Sequence, residues 1–191
     1  ASALSRRRPS PRAVPATDAV IGEDYGKGMV TLPLAEAVAD ACREHGRIWT
    51  VDPNPDNPIA WPAPTAVKPN RSEAFLAAGI PQTEDPAAVA ALGPRLLELW
   101  RAGMVLITLG EHGMELLEPS GARYHSPTKA REVFDVSGAG DTAIAVFTLA
   151  LACGATPIEA TELANHAAGV VVAKLGTATL TPAELLASFR A

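Results

Sequence analysis

The run DVSGAGDTAIAVF, Asp135 to Phe147, places three small residues, Gly138, Ala139 and Gly140, directly before an acid, Asp141. A long apolar stretch follows. A helix usually begins with a capping side chain. Bare backbone at a helix start leaves several N–H groups pointing outward without intrahelical partners, and the helix dipole adds positive potential there. Such a nest holds phosphates, and small residues let the phosphate come close. Asp141 stands at its edge, where the dipole favours the ionised form. A carboxylate there can take a proton from a hydroxyl attacking the phosphate. The plain structural reading is a Gly-rich turn with an acidic cap; the complete DVSGAGDT favours the phosphate.

Further polar clusters follow strand-like runs. In NRSE (Asn70, Arg71, Ser72, Glu73), Asn70 and Glu73 have the spacing of a capping box, which is a sufficient structural role. An oxygen ligand near phosphates also suits magnesium, which keeps much of its hydration. In TLGEHGM, Thr108 ends a buried strand, and Gly110 and Gly113 either let nucleotide phosphates or ribose pass close or enter a hairpin. In ANHAAGVVV, Asn165, Ala168 and Gly169 make room for a flat ring or for close helix packing. His166 reads as a helix-surface histidine, with no second ligand placed to build a metal cage. In DYGKG, Asp24 and Lys27 follow a strand end. The lysine can neutralise a phosphate as a flexible point charge, or stand in water as a loop residue.

The elements that position these residues alternate. AVIG, RIWTVDP, TAVKPN and MVLITLG read as strands, and MELLEP with ARYHSP as a hairpin. Leu34, Val38, Ala41 and Cys42 keep helical spacing up to Gly46. RSEAFLAAG is a short helix, and DPAAVAALGPRLLELWRAG a longer one with a break or kink expected at Gly93-Pro94. Helices are expected over 141–152, over 157–174 and from Pro182, the last two begun by Thr156-Pro157 with Glu159 and Thr181-Pro182 with Glu184. Strands alternating with helices imply an α/β fold with a mainly parallel sheet covered on both faces, and ligands bind beyond the carboxyl ends of such strands.

Bulk properties agree. The 191 residues are 48% hydrophobic and 19% charged, a globular composition for one domain. The net charge of −5 gives no electrostatic reason to expect nucleic acid. No apolar run reaches the roughly 18 residues that span a bilayer, and no signal peptide opens the chain, so a cytoplasmic protein without membrane partners is expected. Cys42 and Cys153 read as buried structural thiols.

DVSGAGDT resembles the signature of the ribokinase-like, or PfkB, carbohydrate kinases. DYGKG, KPNRSEAF, ITLGEHGM, AREVFDVSGAGDT and ANHAAGVVVAKLGTATLTPAELL occur in order at that family's spacing and resemble its heptose 7-phosphate kinase branch, which serves ADP-heptose synthesis. The resemblance implies a ribokinase-like three-layer sandwich. It makes Asp141 the catalytic base and the Gly138-Ala139-Gly140 backbone the anion hole. It assigns ATP contacts to Asn70, Arg71, Ser72, Glu73, Thr108, Gly110, Gly113, Asn165, Ala168 and Gly169, and sugar contacts to Asp24, Lys27 and Asp141. Glu73 organises Mg²⁺ through water, and Asp135 faces a monovalent cation site known in some relatives.

The resemblance starts near Val20. Residues 1–18, rich in Arg, Pro and Ser, are expected to be a flexible tail or linker remnant, and 19–191 the C-terminal portion of a kinase domain. The family's N-terminal strands, most sugar contacts and the lid have no counterpart here, nor does a nucleotidyltransferase domain. Two functions stay open: a kinase acting on the anomeric hydroxyl of heptose 7-phosphate or another sugar, and a non-catalytic nucleotide-binding remnant. A homo-oligomer, or a partner covering the truncated sheet edge, is expected.

Overall fold

A computed structural model describes residues 11–190. Six strands form one sheet in the order of the sequence: β1 (Ala19–Glu23), β2 (Ile48–Asp52), β3 (Ala66–Val67), β4 (Val105–Thr108), β5 (Met114–Leu117) and β6 (Arg123–Ser126). β1 to β4 are parallel, and β5 and β6 return as antiparallel neighbours. Helices α1 (Leu32–Glu44), α2 (Arg71–Ala78), α3 (Pro86–Trp100), α4 (Ala139–Ala152), α5 (Pro157–Val172) and α6 (Pro182–Ser188) complete it.

Side-chain alternation along the strands builds two cores. Trp49, Val51, Val67, Val105 and Ile107 point into one with buried residues of α1, α2 and α3. Ala66, Leu106 and Leu116 point into the other with Phe147, Ala160 and Ala164 of α4 and α5. Thr50 faces α4, where its hydroxyl and that of Thr148 share a 2.6 Å hydrogen bond, both residues being buried. Helices therefore cover both sheet faces, and the parallel strands end together on one edge.

Local chemistry sets the helix starts. Asn70, Thr156 and Thr181 each accept from the backbone of a Glu three residues on, and that Glu accepts in return from the cap's own N–H. Gly79, at φ 68°, ends α2 in the left-handed conformation that favours glycine.

Four expectations are corrected. α3 runs unbroken through Gly93-Pro94. An interior proline costs about 3 kcal/mol, but α3 buries Leu92, Leu96 and Trp100, each worth about 1.5–3 kcal/mol. Gly93 itself is a packing residue, because a methyl there would run into the Leu117 side chain. Cys153 is exposed, since α4 ends one residue earlier and the chain turns away at Gly154. Pro11–Ala16, inside the expected tail, forms a 3₁₀ helix that packs on α1 and buries Val14. Residues 1–10 of the expected tail lie outside the described residues. His166 is half-buried, its ring stacked 3.8 Å from that of Phe189.

Candidate functional site

Two adjoining cavities open where the parallel strands end. One, about 460 Å³, is lined by Thr108, Gly110, Glu111, Gly113 and Met114 on one side. Thr128, Ala130, Val133, Val136, Ala139, Gly140, Asn165, Ala168, Gly169 and Val172 complete it. The second, about 680 Å³, takes Asp24 and Tyr25 after β1, Asp52 at the end of β2, Lys68 after β3, and Asn70, Arg71, Ser72 and Glu73 at the start of α2. It shares Thr108, Gly110, Val136 and Gly140 with the first, and Asp141 closes it. The first is walled mainly by small and apolar residues and suits a flat ring; the second is rich in charge.

The junction is the start of α4. Gly138 is its N-cap at φ 78°, and no side chain caps the helix. The Ala139 N–H donates to Val136 O and the Thr142 N–H to Gly138 O. Those of Gly140 and Asp141 have no backbone acceptor among the described residues. Donors and dipole therefore meet at bare backbone beside an exposed carboxylate. Asp141 Oδ2 lies 3.1 Å from the Tyr25 hydroxyl, which also lies 3.0 Å from Glu23 Oε2. One phenolic proton serves one carboxylate at a time. Burial and the two neighbouring carboxylates push the Tyr25 phenol upward.

Beneath Gly140 sits an ion pair. Lys68 is 4% exposed, and its Nζ donates to Asp52 Oδ2 at 2.9 Å. A methyl on Gly140 would lie 3.4 Å from that Nζ. Burial pushes the Asp52 carboxyl up to about 6, against the opposing pull of Lys68.

Other expected site residues are engaged locally. Glu73 Oε2 accepts from Asn70 N–H in the capping box. The Arg71 guanidinium turns to Thr83 O and Glu84. Asp24 is buried, accepting from Gly26 N–H and the Asn57 amide. Lys27 is exposed and lines neither cavity. Asn165 is buried and donates to Ser126 and Pro127, which fixes the chain leaving β6. Gly113, at φ 87°, sits where a methyl would strike Ser126 O, and at Gly169 a methyl would crowd the Lys129–Ala130 backbone. The two glycines let the cavity wall close. The Asp135 carboxylate accepts from Ser137 and Gly176 N–H, which hold it below the usual carboxylate range.

Sequence reasoning did not single out Tyr25, Asp52, Lys68, Val133 or Val136. Asp52 and Lys68 carried a usable signal: each is the first polar residue after an apolar strand run, and so marks a carboxyl end of the sheet.

No metal ligand cluster of three or more His, Cys, Asp or Glu exists among the described residues, and none of their helices is long and apolar enough to cross a membrane. Over nearly the whole of this chain the sequence is similar to the "Bifunctional protein HldE" of Desulfatibacillum aliphaticivorans, 44% identical over 177 residues, 93% of this chain and 36% of that one. Among solved structures, Arabidopsis thaliana ribokinase complexed with ribose and ATP superposes with a TM-score of 0.75 at 22% identity, over 94% of this chain and 58% of that one. Phosphofructokinase-2 from Escherichia coli in complex with potassium gives 0.77 at 18% identity, over 94% and 60%. The chain thus spans about a third of the HldE relative and under two thirds of the solved kinases, whose likeness is that of the ribokinase-like fold. Residues 28–184 match the profile described as pfkB family carbohydrate kinase, and the chain belongs to that family.

Proposed function

We propose that this chain is the ATP-binding and catalytic part of a sugar kinase that phosphorylates the anomeric hydroxyl of heptose 7-phosphate. The observation that carries this reading is the uncapped start of α4, with Asp141, at the junction of an apolar and a charged cavity. Adenine takes the apolar cavity, the phosphates lie across Gly138–Gly140, and the acceptor enters from the side of Asp141. Asp141 removes the hydroxyl proton as the phosphoryl group leaves ADP. The backbone N–H groups and the dipole hold the charge that spreads over the equatorial oxygens. The heptose rests on the sequence motifs and on the likeness to the bifunctional HldE protein.

Magnesium fits this arrangement as an ion carried on the nucleotide. The second cavity is lined by Asp24, Asp52, Glu73 and Asp141 but holds no closed cage, which suits an ion that stays largely hydrated. Bound there, it would neutralise charge between the phosphates, with Glu73 reached through water. A monovalent cation beside Asp135 belongs to the same proposal, supported by the potassium complex of the phosphofructokinase-2.

A second reading, nucleotide binding without turnover by this chain alone, is favoured by the engagement of Asp24 with Asn57 and by the exposure of Lys27.

The test of the nucleotide site is hydrogen exchange. Mg-ATP should protect the amides of residues 138–142, and Gly140→Val should abolish that protection. If calorimetry shows ATP bound while this segment exchanges as before, the site is misplaced.

A further inference from the structure

We infer that Lys68 is a catalytic residue that grips the terminal phosphoryl group of ATP from beneath the Gly138–Gly140 nest, held in place by Asp52. The inference rests on the nucleotide reading of the cavity and adds a residue to it.

Position comes first. Lys68 follows β3 and lines the second cavity, and its ammonium lies so close to the start of α4 that a methyl on Gly140 would stand 3.4 Å from it. An ammonium has three donors. Asp52 takes one, and no further acceptor of Lys68 Nζ exists among the described residues. A phosphate oxygen meeting the Gly140 N–H comes within reach of the others.

Charge comes second. The second cavity is lined by the carboxylates of Asp24, Asp52, Glu73 and Asp141 and by two cations, Lys68 and Arg71. Arg71 is committed to Thr83 O and Glu84. Lys68 is then the cation left to face a polyphosphate. Folding does not ask for this pair, because a buried ion pair is commonly replaced by apolar residues without loss. A carboxylate at the end of β2 holding an ammonium at the end of β3 does what a phosphate grip needs: it fixes a flexible side chain before the ligand arrives.

The experiment measures binding of Mg-AMP-PNP, Mg-ADP and AMP to the 191-residue chain by calorimetry. Lys68→Met should weaken AMP-PNP by roughly 10- to 100-fold, the size of a hydrogen bond to a charged group, and leave AMP within about twofold. Because Lys68→Met strands a buried carboxylate, the double variant Lys68→Met/Asp52→Asn repeats the test with a neutral pair. In the wild-type chain, AMP-PNP but not AMP should shift the ¹⁵N ammonium resonance of Lys68, a readout that needs no variant to fold. Unchanged AMP-PNP affinity in the double variant, or an ammonium resonance indifferent to AMP-PNP, overturns the role of Lys68 while the nucleotide site stands. A wild-type chain that binds none of the three nucleotides overturns the nucleotide reading, and this inference with it.

Discussion

Asp141 is exposed, and its carboxylate takes a hydrogen bond from Tyr25. In the proposed mechanism, an acceptor hydroxyl has to share or displace that bond before Asp141 takes its proton. Asp141→Asn keeps the shape and removes the basicity. In a protein that carries this segment together with its acceptor site, ATP affinity should stay within a few-fold. The transfer rate should fall by roughly 10²–10⁴-fold, the usual contribution of a placed base. Full activity in the Asn variant would remove Asp141 from the mechanism. Asp52 makes a different prediction, in pH. Its folded pKa of about 6 lies above the ordinary 3.8, so the folded state binds more protons than the unfolded state between those values. Its contribution to stability is whole below about 4 and is lost as pH rises through 6. The stability of the wild type minus that of Asp52→Asn should therefore fall by about 2–3 kcal/mol between pH 4 and pH 7. Urea unfolding of both proteins across that range checks the sign; a flat difference contradicts it.

Elements with a local cause were legible in the sequence. The boxes at Asn70, Thr156 and Thr181 each use residues three positions apart, and the hairpin of β5 and β6 pairs neighbours. The gathering of polar residues also followed from where they stood, just past the ends of strands. What escaped depends on partners distant in the chain. Lys68 meets Asp52 only because β2 and β3 align Val51 with Val67. Thr50 and Thr148, 98 residues apart, meet only because α4 crosses β2. The break expected at Gly93-Pro94 was a local rule overridden by burial of α3. Gly113 shows the same division: its place in a turn was readable, while the carbonyl that forbids a side chain comes from β6. Gly113→Ala must adopt a conformation unfavourable by about 1–2 kcal/mol and push the Ser126 backbone aside, at a further cost of about 1–3 kcal/mol. Urea unfolding should show a loss of about 2–5 kcal/mol. A loss below 1 kcal/mol would mean that the β4–β5 connection yields easily.

At the scale of the whole molecule, the donor and acceptor sides are unequal. On the proposed kinase reading, the donor side has an apolar cavity and an uncapped helix start beside the Asp141 carboxylate. On the acceptor side, Asp24 is held by Gly26 and Asn57, and Lys27 points to neither cavity. The sheet is also unequal. β5 and β6 close one side as a hairpin, whereas among the described residues β1 pairs with β2 alone. Beside β1 lies an open groove lined by Ile21, Ala145, Leu149 and Ala152, with Ile21 and Leu149 exposed. A bare strand edge next to exposed apolar residues favours association, so sedimentation of the 191-residue chain should show self-association that Leu149→Lys weakens. Phosphoryl transfer needs its acceptor oxygen in line with the leaving group, and alignment supplies a large share of the rate. Among the described residues, few charged groups are placed to hold a sugar phosphate in that line, and the charged cavity is open to water, which can compete as acceptor. A coupled ADP-release assay on the purified chain should therefore detect at most slow ATP hydrolysis that heptose 7-phosphate does not accelerate. Sugar-dependent turnover at about 1 s⁻¹ or faster, within the kinase range of roughly 1–100 s⁻¹, would show that these residues alone build a working acceptor site. The search for it would then begin at Tyr25, the exposed residue after β1 whose hydroxyl lies 3.1 Å from Asp141 Oδ2.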